Sequence, residues 1–113
     1  MSGERRQDAR DRSFARILAR VEGRAGYVAD VSENGFRAIF AGDFSPALDS
    51  PLRVEISFEE LGLGIFPLPA LARWSRAVEG GAEAGFELAP EAREGPGAGL
   101  FERLRSYYDK SLR

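Results

Sequence analysis

The residues best equipped for chemistry fall in two short stretches. Asp30-Val31-Ser32-Glu33-Asn34-Gly35 mounts a carboxylate and a hydroxyl beside a tight-turn signal, and Glu4-Arg5-Arg6-Gln7-Asp8-Ala9-Arg10 carries three guanidinium groups. A carboxylate accepts from the N1 and N2 hydrogens of guanine, while an arginine fork matches guanine O6 and N7 or a phosphate. The chain has no histidine and no cysteine. Nitrogen and sulfur metal ligands, thiolate chemistry and the side chain suited to proton transfer near neutral pH are therefore missing. Glu59 and Glu60 are adjacent, and neighbours on a strand point to opposite faces, so they do not form a paired acid and base. No serine has a base nearby in sequence. These residue types favour binding over catalysis, and the chain is expected to be no enzyme, with no metal and no cofactor.

Each stretch also has a plain structural reading. Asn-Gly is a strong hairpin signal because both residues tolerate positive φ, and Asp or Ser beside a turn commonly bonds to nearby backbone. Arg-x-x-x-Arg spacing recurs at Arg12 and Arg16, Arg16 and Arg20, and Arg20 and Arg24. Of the 16 basic residues only Lys110 is lysine. That bias suits planar bidentate contacts and stacking on bases, and it equally suits a genome favouring arginine codons. The net charge of −2 argues against a nucleic-acid polymer as partner.

The elements that must position these groups read mostly as strands. The length of 113 residues fits one domain, and a composition 43% hydrophobic and 30% charged is ordinary for a soluble globular protein. No apolar run is long enough to span a membrane and the N-terminus is charged, so a cytoplasmic location is expected. Residues 1–12 are too polar to fold alone and are expected to form a mobile arm. Strands are expected at Ser13–Val21, Tyr27–Val31, Phe36–Phe40, Leu52–Phe58, Ile65–Ala77 and Ala82–Leu88. Leu52, Val54, Ile56 and Phe58 alternate cleanly with polar residues, while Pro67 and Pro69 place the first half of the fifth strand at an edge. Trp74 falls on a core position of that strand. Pro90 to Gly99 reads as a connection. Beyond it Phe101, Leu104, Tyr108 and Leu112 share a helical face, with Leu100 and Tyr107 beside it, giving a C-terminal helix over 98–112. Six antiparallel strands and one helix make a mainly β barrel occupying residues 13–113.

An arginine motif just before the first barrel strand, followed one hairpin later by Asp-x-Ser-x-x-Gly, resembles the PilZ family. Leu71-Ala72-Arg73-Trp74 and Gly85-Phe86-Glu87-Leu88 are similar to late-strand segments of that family, so the resemblance covers nearly the whole chain. It implies a six-stranded antiparallel PilZ-type β-barrel with a C-terminal helix, and binding of the bacterial second messenger cyclic di-GMP. Arg6 and Arg10 would take the arginine positions, with Arg5 preceding them. Asp30 would accept from guanine, Ser32 would add a polar contact, and Gly35 would permit the turn. Arg20, Arg24 and Arg37 could lie nearby. The arm would order over the ligand and signal to a protein partner. A competing reading keeps the fold as a protein-interaction module without the nucleotide, docking through an apolar patch around Leu100 and Tyr107. A single-stranded nucleic-acid barrel would need outward aromatics, whereas these phenylalanines fall on core positions.

Overall fold

Phe36, Ala38 and Phe40 are buried while Arg37 and Ile39 between them are only partly covered, the two-residue period of a strand with one face on a core. The computed structural model describes residues 17–58 and 62–111, and within them this period builds one eight-stranded antiparallel sheet. Its strands are β1 (Leu18–Val21), β2 (Arg24–Val31), β3 (Gly35–Ala41), β4 (Pro51–Leu52), β5 (Val54–Phe58), β6 (Leu63–Pro67), β7 (Ala70–Val78) and β8 (Gly81–Leu88). They lie in the order β4-β7-β8-β3-β2-β1-β5-β6.

Two strands expected as continuous are each divided, which raises the count from six to eight. The Leu52–Phe58 run keeps its inward alternation but changes partners at Arg53: Leu52 pairs with Ala70 of β7, and Val54 with Val21 of β1. The Ile65–Ala77 run divides at Leu68-Pro69, where a proline cannot donate to a ladder. Both divisions carry the chain from one end of the sheet to the other, so the sheet curls round and its ends are joined covalently. Curling brings the inward side chains into one core.

The corner at Arg53 is held from outside. Glu22 and Gly23 form a two-residue hairpin loop with φ of 49° and 85°, the doubly positive geometry that suits the twist of adjoining strands. The loop is therefore tighter than the five residues, 22–26, left between the expected strands Ser13–Val21 and Tyr27–Val31. The Glu22 carboxylate accepts from the Arg53 N–H at 2.6 Å, and the Glu22 N–H donates to the Arg53 carbonyl at 2.9 Å.

Residues Pro90 to Gly99 are mostly helical. Helix α1 (Pro90–Glu94) and helix α2 (Pro96–Ser111) each begin on a proline, tolerated there because the first turn of a helix has no internal acceptor for that N–H. Phe101 and Leu104 are buried against the barrel, and the Tyr107 ring meets Phe58 edge-on at 4.7 Å. Leu100 also packs partly against the core, so the expected apolar docking patch at Leu100 and Tyr107 is a packing surface. Leu112, Glu59 and Glu60 lie outside the described residues, as does the expected start of the first strand at Ser13. Among the described residues no helix is long and apolar enough to cross a membrane.

Candidate functional site

Two of the three irregularities in pairing among the described residues shape one region of the outer face; the third, between Ile56 and Phe58 of β5 where they face β6, lies apart from it. In β2, Val28 pairs with Ala38 and Asp30 with Arg37, leaving Ala29 as an extra residue. In β7, Ala72 pairs with Phe86 and Trp74 with Gly85, leaving Arg73 extra. An extra residue reverses the facing of everything after it. Strict alternation from Val28 would send Asp30 inward; instead Asp30 is exposed and Val31 buried. Likewise Ala70 and Ala72 face the core but Trp74 is 40% exposed. The expectation that Trp74 packs inside is thus corrected, and the bulge at Arg73 is the reason.

The two bulges face one pocket of about 250 Å³. Asp30 and Ser32 line it from β2 and its hairpin, Arg37 from β3, and Arg73 and Trp74 from β7. Gly85 also lines it, because a Cβ there would come within 2.3 Å of the indole Nε1. The indole therefore rests against bare backbone, as only glycine allows. The Arg37 Nε lies 3.9 Å from an Asp30 carboxylate oxygen. The Ser32 hydroxyl donates to the Gly35 carbonyl at 3.2 Å, which fixes the hairpin beside the pocket.

Charge pairing fixes the cationic walls. Glu83, only 5% exposed, takes hydrogen bonds from Arg37 and, at 2.6 Å, from Arg76 Nε. Burial pushes its carboxyl up, but the two guanidiniums outweigh this and hold it below the usual carboxylate range. Arg76 also lies over the Trp74 ring, 5.8 Å from its centroid. On the other side Arg73 donates to Glu87 at 2.9 Å and to Asp49 at 2.7 Å. Arg93 of α1 donates to Glu87 at 2.8 Å. The hydrogen bond and charge of Arg73, joined by those of Arg93, hold the Glu87 carboxyl low; the bonds to Asp49 and Glu87 hold the Arg73 guanidinium high.

Of the residues expected from sequence, Asp30 and Ser32 meet in the pocket. Gly35 does not line it. Neither Asn34 nor Gly35 has positive φ, so the turn does not need glycine for that reason. Gly35 is instead the first residue of β3, where a Cβ would sit 2.0 Å from the Phe86 carbonyl oxygen; its hydrogen side chain permits the β3–β8 approach. Arg37 is in the pocket, whereas Arg20 lies on another part of the surface and Arg24 bonds the Ala41 carbonyl. Arg5, Arg6 and Arg10 lie outside the described residues. Trp74 and Arg73 were hidden because periodicity assumes unbroken pairing. Gly85 in an otherwise well-formed strand was the available signal for a close approach.

Asp30 and Ser32 thus stand at a pocket lined by cationic and aromatic side chains on the outer face of a curled antiparallel sheet. The PilZ domain family model matches residues 4–104, and the chain belongs to that family. Its members are typically non-enzymatic binding or adaptor domains. No match was found among curated proteins or solved structures.

Proposed function

We propose that this PilZ domain is a cyclic di-GMP effector that captures the ligand between its barrel and its N-terminal arginine motif, and transmits the bound state to a protein partner. The observation carrying this reading is the convergence of Asp30, Ser32, Arg37, Arg73 and Trp74 on one pocket. Cyclic di-GMP needs acceptors for its guanine N–H groups, donors for O6, N7 and phosphate, and flat surfaces for its bases. Asp30 supplies the first, and Arg37 and Arg73 supply cationic donors beside it. The exposed indole supplies an aromatic plane.

Arg5, Arg6 and Arg10 add guanidinium groups from the preceding segment. The Ile17 carbonyl accepts from the Val28 N–H at 2.8 Å, so the chain passes beside β2 only two residues from Asp30. Arg10 is seven residues before Ile17, a reach of at most roughly 25 Å for extended chain. That length suffices for the motif to close over the pocket. Closure would alter the outer surface without remaking the core, a suitable signal for a partner.

Calorimetric titration of cyclic di-GMP into the wild type, Arg10→Ala and Asp30→Ala tests the reading. Each substitution is expected to weaken binding by about 1–3 kcal/mol, the scale of one bidentate base contact. Equal heats from all three proteins would place the site elsewhere. No binding by the wild type would favour an interaction module that does not use this nucleotide.

A further inference from the structure

Glu83 belongs to neither motif and does not line the pocket. Yet it bonds Arg37, which does, and Arg76, which lies over the Trp74 ring of the opposite wall. It sits opposite Ile39 on β3 and Arg76 on β7, two residues along β8 from Gly85. Its position on the outer face would ordinarily be solvated, but it is buried beneath its neighbours. Replacing a buried ion pair by apolar residues is often neutral or stabilising, so stability alone gives a weak reason for a carboxylate here. Its geometry gives a better one. One carboxylate oxygen holds Arg37, whose guanidinium faces Asp30; the other holds Arg76, which lies over the indole of Trp74.

We propose that Glu83 is a positioning residue of the nucleotide site, fixing from below both the Arg37 guanidinium and, through Arg76, the Trp74 indole. This inference rests on the cyclic di-GMP reading. Pre-set side chains bind a ligand without the entropy loss of ordering them at that moment, which is substantial for arginine. Arg37 is itself held where it faces Asp30, so the acceptor and the donor that meet the ligand keep a fixed separation. Glu83 needs no contact with the ligand to do this.

The test combines Glu83→Gln, Arg37→Ala and the double variant in a cyclic di-GMP titration, with acrylamide quenching of Trp74 measured in the ligand-free proteins. Trp74 is the sole tryptophan, so its fluorescence reports on this pocket alone. Glu83→Gln is expected to weaken binding at least about tenfold, the scale of one charge-assisted hydrogen bond, and to raise quenching of Trp74. In the Arg37→Ala background the same change should weaken binding by a smaller factor, because part of its effect passes through Arg37. A purely structural role would lower stability yet leave the two effects multiplicative. Wild-type affinity and unchanged quenching in a folded Glu83→Gln protein would overturn the proposal while leaving the cyclic di-GMP reading intact. Failure of the wild type to bind would instead remove that reading, and the positioning claim would fall with unaltered Trp74 quenching. Should Glu83→Gln not fold, Arg76→Gln removes the more exposed half of the same arrangement, and the same quenching decides.

Discussion

Two concave regions among the described residues of the outer surface are built from the same kind of strand. One, of about 250 Å³, lies across β2, β3, β8 and β7; the other, of about 70 Å³, lies across β1, β2, β5 and β6. The smaller is lined by Leu18, Arg20, Glu55, Ser57 and Ile65; its pairing is regular along β1 and shifts register once, between Ile56 and Phe58 of β5 where they face β6. The larger exists because pairing is broken twice, at Ala29 and Arg73. The single shift at the smaller region falls on its β5–β6 side, where Ile65 stays exposed and only a shallow concavity forms. Broken pairing turns Asp30 and Trp74 outward together, and Gly85 lets the indole rest against bare backbone. The larger pocket on this sheet face thus comes from two facing departures from the strand period, held in place by buried charge.

The sharpest way to break the contrast is to strip the carboxylate under the larger pocket of its partners. Arg37→Met combined with Arg76→Met leaves Glu83 buried and unpaired, at an expected cost of about 3–5 kcal/mol, seen in urea unfolding. Each single substitution should cost less than half of that, since one guanidinium remains. Acid should act in the same sense. The folded Glu83 carboxyl titrates below its unfolded value, so its stabilisation is present above the ordinary glutamate range near about 4.3 and is lost as pH falls through the lower folded value. An unfolding series from pH 6 downward should show that limb flattened in a Glu83→Gln protein.

Two glycines of neighbouring strands sharpen the comparison at smaller magnitude. A methyl at Gly35 would meet the Phe86 carbonyl oxygen at 2.0 Å, and backbone cannot yield without separating β3 from β8. Gly35→Ala should therefore cost about 1–3 kcal/mol, the range for overpacking. A methyl at Gly85 meets the indole of Trp74, a side chain already half in solvent. Gly85→Ala should cost less stability but shift Trp74 fluorescence and weaken cyclic di-GMP. If both variants lose stability equally and the indole emission is unmoved, the pocket floor is not what sets the position of the tryptophan.

Most of the scaffold was legible in sequence because burial enforces period. The inward set Leu52, Val54, Ile56 and Phe58 is buried as alternation requires, and Phe101 and Leu104 mark the packed helix face. The strand divisions at Arg53 and Pro69 were not legible as corners, since a strand that changes partners keeps the same inward residues. Pro90 and Pro96 suggested a break because proline ends a helix more often than its starting role is apparent from sequence. At the site, Asp30 and Ser32 could be read from the motif, but Trp74 could not be placed. A bulge leaves little trace in residue types, and one extra residue inverts the facing of all that follow.

The smallest effect distinguishes exposure from function. Ile65 is 73% exposed and Trp74 40% exposed, so accessibility by itself would rank the isoleucine as the stronger docking candidate. Exposed apolar residues on a surface are ordinary, however. Trp74 differs because Gly85 backs it, Arg76 lies over its ring and Asp30 shares its pocket. Trp74→Ser should weaken cyclic di-GMP by about 1–3 kcal/mol, as loss of a base-stacking surface does. Ile65→Ser should leave that affinity unchanged and stability within about 0.5 kcal/mol, because a side chain already in water loses little contact on truncation. Parallel titration and urea unfolding of the two variants check this. Equal affinity losses would mean that the two outer regions act as one surface, and the bulges would no longer explain where the ligand binds.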